Sequence, residues 1–366
     1  MKQIDVDTLR DWLENGRPVT VLDIRNSEDR AQWSIPGSMH LNAYAALKSG
    51  DPKALLQVEL PADRPVVTIC NAGVVSQVAA EQLSQRGMDA AALAGGMKSW
   101  SLAWNTAELP LGDVTVVQVR RTGKGCLSYL LASDSQAVVI DASLNPTVYL
   151  HLAGQRGWAI RYVLDTHVHA DHLSRSRALA EMTGAALLLP RQNRVRFAFQ
   201  AFQDGDTLAF GNATLRAIAT PGHTDESTSY LVNGQALFTG DTLFLATVGR
   251  PDLKASRTEA EDRARTLFQS LRHLLELSGP TIVFPGHASE PPAFDTRPIC
   301  DELGRVSSRI GAWLRSEDAF VRTILDRIPP TPPNYLKIVE LNETGALPEG
   351  DVTDLEAGAN RCAVAY

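Results

Sequence analysis

The feature that most constrains this chain is the run Thr166-His167-Val168-His169-Ala170-Asp171-His172, which places three imidazoles and a carboxylate within six residues. The apolar stretch 159–164 before it predicts a buried strand, and a helical pattern begins at residue 173. The run therefore lies on a strand-to-helix turn, where successive side chains point in different directions and can surround one point. An H-E-x-x-H zinc site would instead place both histidines on one helical face. This spacing predicts metal binding by a loop.

Three later turns each follow an apolar strand pattern and end in one residue of a type that binds metals. They are Thr220-Pro221-Gly222-His223, Phe238-Thr239-Gly240-Asp241 and Pro285-Gly286-His287. Five of the eight histidines of the chain lie in these turns and in the first run. Because α/β proteins usually place their sites at strand ends, we expect one shared site.

This ordered set resembles the metallo-β-lactamase superfamily, from Val114 to the C-terminus. The resemblance implies an αββα sandwich with the metal at the edge between its two sheets. It leaves two arrangements open. In a dinuclear hydrolase site, one ion would be bound by His167, His169 and His223. The second would be bound by Asp171, His172 and His287, and Asp241 would bridge the two ions. A mononuclear Fe(II) site would use the 2-His-1-carboxylate face His167, His223 and Asp241. The remaining four residues would then orient the ligands or move protons.

Residues 1–107 have the pattern of a small α/β domain built around Cys70. Residues 65–69 predict a short strand, and residues 76–86 predict a helix. Backbone N–H groups and the positive end of the helix dipole favour a thiolate at such a junction. A lone cysteine at a strand end is, however, more often a buried apolar residue.

The motifs around Cys70 resemble a single rhodanese domain over about residues 3–105. They are the D-x-R of Asp23 and Arg25, the turn Ile35-Pro36-Gly37 and the closing Ala94-Gly95-Gly96-Met97-x-x-Trp100. The resemblance implies that Cys70 carries a sulfane sulfur as a persulfide, cradled by the amides of a sulfur loop, which consists of Asn71, Ala72, Gly73, Val74 and Val75. An inactive, structural module is the alternative.

The sulfur loop departs from the rhodanese pattern in its charge. Rhodanese loops often carry Arg after the cysteine and Arg or Thr at the sixth position, where this chain has Asn71 and Val75. We expect the loss of these cations to weaken the binding of dianionic thiosulfate. A less charged sulfur donor, or docking of a persulfide made at the neighbouring domain, is therefore favoured.

Residues 104–112 predict a linker between a rhodanese-like domain at 1–107 and a metallo-β-lactamase domain with a helical C-terminal extension at 113–366. The expected fold class is thus α/β, with a rhodanese-like α/β domain followed by an αββα sandwich. Asp141, at a strand end, is expected either to brace the site or to cap a helix. Asn233-Gly234 predicts a type I′ hairpin turn, and Ser256 with Glu259 predicts a capping box that opens a long helix.

Two further segments resemble persulfide dioxygenases more than glutathione thioesterases. Gly249-Arg250-Pro251-Asp252 is similar to a dioxygenase segment whose arginine lies near the substrate, which implies a substrate-binding Arg250; a surface salt bridge is the alternative. The C-terminal Pro332-Pro333-Asn334-Tyr335 and Ala359-Asn360-Arg361-Cys362 also resemble that family. The segment after His287, Ala288-Ser289-Glu290, matches neither the Asp-Tyr of dioxygenases nor the Glu-Tyr-Thr of thioesterases.

Together with the fused rhodanese-like domain, these resemblances imply a bifunctional enzyme of sulfur metabolism. A low-molecular-weight thiol persulfide, such as glutathione persulfide, would be oxidised by O₂ to sulfite at one Fe(II) per chain, and Cys70 would transfer sulfane sulfur, with sulfite or thiosulfate as a partner. One alternative is a thioesterase of the hydroxyacylglutathione hydrolase kind with two Zn²⁺ ions. Another is a sulfur-relay protein in which only Cys70 acts.

Composition excludes several other classes. A net charge of −7 and a pI of about 5.7 give no basic footprint for nucleic acid. No run reaches the ~18 apolar residues of a membrane span, and residues 1–10 lack a signal-peptide hydrophobic region, so we expect a cytoplasmic protein. The four cysteines contain no C-x-x-C pair, which predicts reduced thiols. A homodimer remains open.

Overall fold

The computed structural model describes residues 2–358 and 360–364, and this part of the chain contains three β-sheets. The first sheet is parallel, with strand order β1-β5-β4-β2-β3. Its strands are β1 (Gln3–Ile4), β2 (Thr20–Asp23), β3 (Met39–His40), β4 (Val66–Ile69) and β5 (Ala90–Leu93). Its helices are α1 (Val6–Glu14), α2 (Ser27–Gln32), α3 (Tyr44–Lys48), α4 (Val75–Gln85) and α5 (Gly96–Trp100).

Both faces of this first sheet are covered, as parallel sheets require. One face packs Leu22 and Val66 against Leu83 of α4. The other packs Val67 against Leu9 of α1 and Trp100 of α5. Strand β4 lies inside the sheet and leads directly into Cys70.

The second part of the chain contains a seven-stranded and a six-stranded sheet, with orders β12-β11-β10-β9-β8-β7-β6 and β13-β14-β15-β16-β17-β18. The seven strands are β6 (Asn105–Leu111), β7 (Val114–Arg120), β8 (Leu127–Ser133), β9 (Gln136–Ile140), β10 (Ala159–Leu164), β11 (Ala186–Pro190) and β12 (Gln200–Phe202). The six are β13 (Thr207–Phe210), β14 (Ala213–Ala219), β15 (Thr228–Val232), β16 (Ala236–Gly240), β17 (Ile282–Pro285) and β18 (Asp301–Glu302).

Helical segments pack around these two sheets. They are α6 (Pro146–Gln155), α7 (Ser176–Thr183), α8 (Arg257–Leu274), α9 (Leu303–Ile310), a 3₁₀ turn at Trp313–Arg315, α10 (Glu317–Asp326), α11 (Tyr335–Thr344) and α12 (Thr353–Glu356). The facing sheets share one apolar core that includes Tyr129, Phe238 and Phe284. Helices α6 and α7 pack on the first of the two sheets and α8, α9 and α10 on the second. The predicted α/β fold class, with its αββα sandwich, is confirmed.

The predicted linker at residues 104–112 is wrong. Asn105–Leu111 forms β6, which pairs along its whole length with β7 in antiparallel register. Strand β6 is the edge strand of its sheet, and an edge strand tolerates Pro110 because the missing N–H has no partner to lose. The first residues of the sandwich therefore follow the rhodanese-like sheet without a flexible spacer.

Two local predictions are confirmed. Asn233 and Gly234 have φ values of 49° and 69°, which suits the type I′ turn between β15 and β16. Ser256 and Glu259 form a reciprocal capping box at the start of α8. No helix in the described residues is long and apolar enough to cross a bilayer.

Candidate metal centre and cysteine loop

Four turns of the sandwich carry metal-binding side chains to the same edge. Residues 165–172 follow β10, and His223, Asp241 and His287 follow β14, β16 and β17. Because β16 and β17 are parallel and pair Gly240 with Pro285, Asp241 and His287 emerge at the same end. Gly240 has a φ of 48°, and a Cβ there would lie 2.4 Å from Thr166 Oγ1. Only glycine allows these two turns to approach so closely.

Three of the predicted ligands form one buried cluster. The ligand atoms of His167, His223 and Asp241 all lie within 4.8 Å of one another. Asp241 Oδ2 lies 3.7 Å from Nε2 of each histidine. Within the described residues, His167 Nε2 and Asp241 Oδ2 are buried without a hydrogen-bond partner. Buried polar atoms are rarely left unpaired, so this donor set fits a divalent metal ion.

The far side of each histidine ring is fixed by a hydrogen bond. Thr166 Oγ1 lies 2.9 Å from His167 Nδ1, and the same hydroxyl donates to Asp141 Oδ2. His223 Nδ1 lies 2.8 Å from the carbonyl oxygen of Arg250. Such partners orient a metal-binding imidazole and set its tautomer. Both Nε2 atoms are thereby directed at Asp241.

The electrostatics of this cluster suit metal binding. Burial lowers the pKa of His167 well below its usual value and also lowers the pKa of His223. Burial opposes ionisation of Asp241, but the neighbouring His287 holds its pKa far below the usual range. The cluster therefore offers two neutral imidazoles and a carboxylate, the ionisation states in which these groups bind metals.

A second cluster lies on the other side of Asp241. His287 Nε2 is 3.1 Å from Asp241 Oδ1 and 3.8 Å from Asp171 Oδ2, and His172 Nδ1 is 3.0 Å from Asp171 Oδ1. Two thiols complete it, since Cys126 groups with Asp171 and His172, and Cys362 groups with Asp171 and His287. The four predicted residues Asp171, His172, His287 and His169 are thus not equivalent, because only the first three belong here.

His169 lies between the two clusters: its ring centroid is 4.2 Å from those of His167 and His172, and its Nδ1 is buried without a hydrogen-bond partner among the described residues. Its Nε2 is 3.2 Å from Asp141 Oδ1, and its ligand atom groups with Asp141 and Asp165. Asp141 also accepts a hydrogen bond from the Thr166 backbone N–H at 2.7 Å. Asp141 therefore braces the histidine loop. It does not cap a helix, because the N-cap of the following helix α6 is Asn145.

Arg250 is fully buried and bound on every side. Its Nε and Nη2 each lie 2.7 Å from the Asp252 carboxylate, and its Nη1 donates to the carbonyl oxygens of Pro330 and Arg361. The guanidinium thus holds the C-terminal segment near His223. Its role in substrate binding stays a prediction.

The sequence patterns missed several residues of the site. Asn360 Nδ2 contacts His287 Nδ1 and lies 3.3 Å from Asp171 Oδ2. Cys126 Sγ lies 3.2 Å from Asp171 Oδ2; burial raises the pKa of this thiol, but His172 and His287 bring it down to about 7. Asn360 and Cys126 are far from the histidine run in sequence. Asn360 was noticed only because the segment that contains it resembles a dioxygenase segment, and Cys126 was not noticed at all. Ala359 of that segment lies outside the described residues.

Cys70 lies where the sequence predicts, between the central strand β4 and the N-terminus of α4. It is 1% exposed, and its Sγ lies 3.4 Å from both the backbone nitrogen and the hydroxyl of Ser76. The loop is tight, because a Cβ on Gly96 would lie 2.2 Å from the Cys70 carbonyl oxygen. Ser76 was missed because it follows the loop proposed from the sequence.

The positions of the five predicted sulfur-loop residues differ. The Asn71 side chain donates to Asp29 Oδ2 at 2.7 Å, and Ala72 is exposed. Gly73 has a φ of 79° and Val74 is the N-cap of α4, which begins at Val75. Their cradling of a persulfide stays a prediction.

Two cavities lie between the domains. One, of about 350 Å³, is lined by Asn71 and Ala72 of the sulfur loop and by Arg361 of the C-terminal segment. The other, of about 630 Å³, reaches His287 and Asn360. Gln32 and Trp33 line both. These two residues thus form a partition between the cavities. The Trp33 indole N–H donates to the Thr122 carbonyl oxygen at 3.0 Å, which fixes the partition to the sandwich.

Comparison with known proteins assigns both domains. The model of the metallo-beta-lactamase superfamily matches residues 121–287, and the model of the rhodanese-like domain matches residues 5–103. A probable metallo-hydrolase of Burkholderia pseudomallei is 33% identical over 229 residues, which is 53% of this chain and 75% of that protein. The chain belongs to the metallo-β-lactamase superfamily. It carries a rhodanese-like domain at its N-terminal side.

Relatives within the superfamily match mainly the sandwich. A hydroxyacylglutathione hydrolase of Brucella anthropi is 37% identical over 136 residues, covering 36% of this chain and 49% of that protein. The chain thus spans about half the length of the hydroxyacylglutathione hydrolases that it matches. Both domain families support an enzymatic role, and the superfamily implies a divalent metal ion.

Two solved structures show the same fold. A metallo-beta-lactamase from Staphylococcus aureus subsp. aureus COL has a TM-score of 0.58 and 25% identity, covering 66% of this chain and 74% of that one. ETHE1 from Myxococcus xanthus has a TM-score of 0.55 and 29% identity, covering 63% of this chain and 98% of that one.

Proposed function

We propose that this chain oxidises a low-molecular-weight thiol persulfide, such as glutathione persulfide, to sulfite at one iron ion and transfers sulfane sulfur at Cys70. The observation that carries the proposal is the buried group of His167, His223 and Asp241, whose ligand atoms all lie within 4.8 Å of one another. Two imidazoles and one carboxylate on a single face are typical of non-haem Fe(II) sites with open positions.

Held by these three residues, Fe(II) would supply the redox chemistry that joins O₂ to the terminal persulfide sulfur. The overall reaction balances when a persulfide anion, O₂ and water give a thiol, sulfite and one proton. His287 is placed to hold a proton beside the reacting atoms. Burial lowers the pKa of this imidazole, but Asp241 and Asp171 raise it well above its usual value. Asn360 contacts its Nδ1 and keeps the ring in position.

The larger interdomain cavity suits a small thiol carrier. Its volume of about 630 Å³ lies within the ~300–1,000 Å³ of most small-molecule sites. It extends from His287 to residues of the rhodanese-like domain, including Arg30 and Trp33. A carrier bound there would lie between the two domains, which supports coupling of the two sulfur reactions.

Metal analysis of protein purified without oxygen tests the proposal. We expect about one iron per chain, as a single three-residue face binds one ion, together with O₂ uptake on glutathione persulfide. Two zinc ions per chain without O₂ uptake would refute it.

A dinuclear thioesterase is the second candidate, and the position of Asp241 favours it. One carboxylate oxygen lies near His167 and His223 and the other near His287, as in a bridge between two ions. The similarity to hydroxyacylglutathione hydrolases also supports it. Hydrolysis of lactoylglutathione at about 1 s⁻¹ or faster would favour this candidate.

In a sulfur-relay protein, by contrast, only Cys70 would act, and His167→Ala would leave the physiological activity intact.

A further inference from the structure

The smaller interdomain cavity joins the cysteine loop to the C-terminal segment of the sandwich. Asn71 and Ala72 form one wall, and Gly358 and Arg361 form another. The sulfur loop itself contains no cation, since residues 71–75 are Asn, Ala, Gly, Val and Val. Any positive charge facing this cavity must therefore come from outside the loop.

Three cations line the cavity, and two of them are already paired. The Arg25 guanidinium donates to the Asp23 carboxylate and to the carbonyl oxygens of Asp29 and Trp33. Lys98 Nζ lies 2.6 Å from Asp354 Oδ1 and 3.9 Å from Asp351 Oδ2.

Arg361 differs from these two cations. Its side chain has no hydrogen-bond or ion-pair partner among residues 2–358 and 360–364, and it is half-buried. The one carboxylate lining the cavity, Asp29, accepts a hydrogen bond from Asn71. Of the three cations, Arg361 is therefore the one whose guanidinium N–H groups can bind a ligand in the cavity.

The backbone around Arg361 is fixed, which gives its side chain a defined direction. Its carbonyl oxygen accepts a hydrogen bond from Arg250 Nη1 at 3.1 Å, and the next carbonyl, that of Cys362, accepts one from the Arg250 backbone N–H at 2.9 Å. Successive side chains of an extended segment point to opposite sides. Accordingly Asn360 and Cys362 face the metal centre, whereas Arg361 faces the cavity at the cysteine loop.

We propose that this cavity binds a sulfur oxyanion, sulfite or thiosulfate, and that Arg361 of the sandwich supplies the cation that the sulfur loop lacks. A guanidinium binds such oxyanions through paired, charge-assisted hydrogen bonds. The inference rests on the proposed sulfur transfer at Cys70. In that step the lone pair of sulfite attacks the outer sulfur of the Cys70 persulfide, the sulfur–sulfur bond breaks, its electron pair stays on Cys70 as a thiolate, and thiosulfate leaves.

Alkylation of Cys70 in the full chain tests the anion site without relying on sulfur transfer. Iodoacetate is an anion and iodoacetamide is neutral, so the ratio of their rates at Cys70, measured by peptide mass spectrometry, reports the charge that faces the sulfur. We expect Arg361→Ala to lower this ratio about tenfold, the effect of losing one charge-assisted hydrogen bond. Arg361→Lys should keep most of it. Arg322→Ala, which removes an exposed arginine of α10, should keep all of it.

The same variants separate this inference from the proposed function. In thiosulfate-to-cyanide transfer we expect Arg361→Ala to raise KM for thiosulfate about tenfold and to change kcat much less. If wild-type protein transfers no sulfur, the proposed function fails at Cys70, and the alkylation ratio still decides the anion site. An unchanged ratio in Arg361→Ala, or a Cys70 inert to both reagents, would overturn the inference.

Discussion

Asp241 is the residue on which both metal clusters depend. Its Oδ2 faces His167 and His223 at 3.7 Å, and its Oδ1 faces His287 at 3.1 Å. With one ion it would be a ligand, and with two it would be the bridge. Its carboxylate also compensates the charge of His287, whose pKa it raises. Among the described residues, no other carboxylate groups with His167 and His223.

We predict that Asp241→Ala abolishes metal retention, because it removes the only carboxylate of the first cluster. Metal content per chain after gel filtration is the measurement, and circular dichroism checks that the variant is folded. Asp225→Ala is the control, since that carboxylate is exposed and lies two residues from His223. A folded Asp241→Ala protein with full metal occupancy would refute the assignment.

A weaker effect is expected at Asp141, which touches the histidine loop without joining the first cluster. Asp141→Asn replaces one of the two acceptor oxygens with an N–H₂ donor, so the side chain can no longer accept from both the Thr166 hydroxyl and His169, and the His167 ring is held less firmly. Removing a group that orients a metal ligand typically lowers metal affinity about 10- to 100-fold. Competition with a chromophoric chelator would measure the change. Affinity equal to wild type would show that Thr166 holds the ring unaided.

Single-residue prediction succeeded where one short motif contained the information. The H-x-H-x-D-H run and the three later turns converge as expected, because each follows a strand that ends at the same edge. The motif cannot tell that His169 turns to Asp141, since that depends on the backbone of two separated loops. Cys126 reaches Asp171 across 45 residues of sequence, and no local pattern signals such a contact.

At the scale of elements, the short helix α12 fastens the C-terminal segment to the metal loop. Glu356 is fully buried and lies 2.6 Å from Arg121 Nη2. Its other oxygen accepts a hydrogen bond from the backbone N–H of Leu173 at 2.8 Å, directly after His172. Arg175 also lies 3.4 Å from this carboxylate. The segment that carries Asn360 and Arg361 is thus attached to the sandwich by this buried carboxylate as well as by Arg250.

We predict that Glu356→Gln destabilises the chain by about 3–5 kcal/mol near pH 7, because it leaves Arg121 buried without a counter-ion. Burial raises the pKa of Glu356, but Arg121 and Arg175 lower it below its ordinary value of 4.5. A lowered pKa in the folded state contributes stability above the unfolded-state pKa, and this contribution is lost as the pH falls. The difference between wild type and variant should therefore shrink below about pH 4.5.

Urea unfolding at pH 7 and pH 4 measures this difference. Asp354→Asn is a matched control in the same helix, since that carboxylate is 79% exposed and pairs with Lys98 at the surface. Exposed pairs contribute little, so its midpoint should stay near wild type. Equal losses in the two variants would show that α12 is not held by the buried pair.

Elements with local signals were predictable, and those set by long-range pairing were not. The Asn233-Gly234 turn and the Ser256 capping box are encoded within four residues each, and both form as expected. Strand β6 was mistaken for a linker because Pro110 and Gly112 favour loops. Its strand character comes from seven residue pairs with β7, a partner that composition alone does not reveal.

At the scale of the whole molecule, the rhodanese-like domain covers one side of the metal centre. The two interdomain cavities share Gln32 and Trp33, so a thin partition separates the cysteine loop from His287. Arg121 strengthens the contact, because its Nε donates to the Ser101 carbonyl oxygen of the first domain at 2.8 Å. Under the proposed function, a small sulfur species would pass between two fixed sites on either side of this partition.

The coupling of the two sites can be tested by removing one of them. Cys70 is buried in the first domain and contacts Ser76 rather than any metal-binding residue. We therefore predict that Cys70→Ser abolishes sulfur transfer while O₂ uptake on added glutathione persulfide stays close to wild type. The two activities would then be separable within one folded chain.

The product mixture shows whether the sites exchange sulfur. Sulfite leaving the metal centre is a dianion or monoanion near neutral pH, and it can accept sulfur from a Cys70 persulfide and depart as thiosulfate. We favour this outward direction because the sulfur loop has no cation of its own, so the binding of thiosulfate as a donor would depend on Arg361 alone. During persulfide oxidation we expect thiosulfate to accumulate with the wild-type protein and sulfite to accumulate with Cys70→Ser, as ion chromatography would measure. Equal thiosulfate from both proteins would mean that the domains do not pass sulfur in this way.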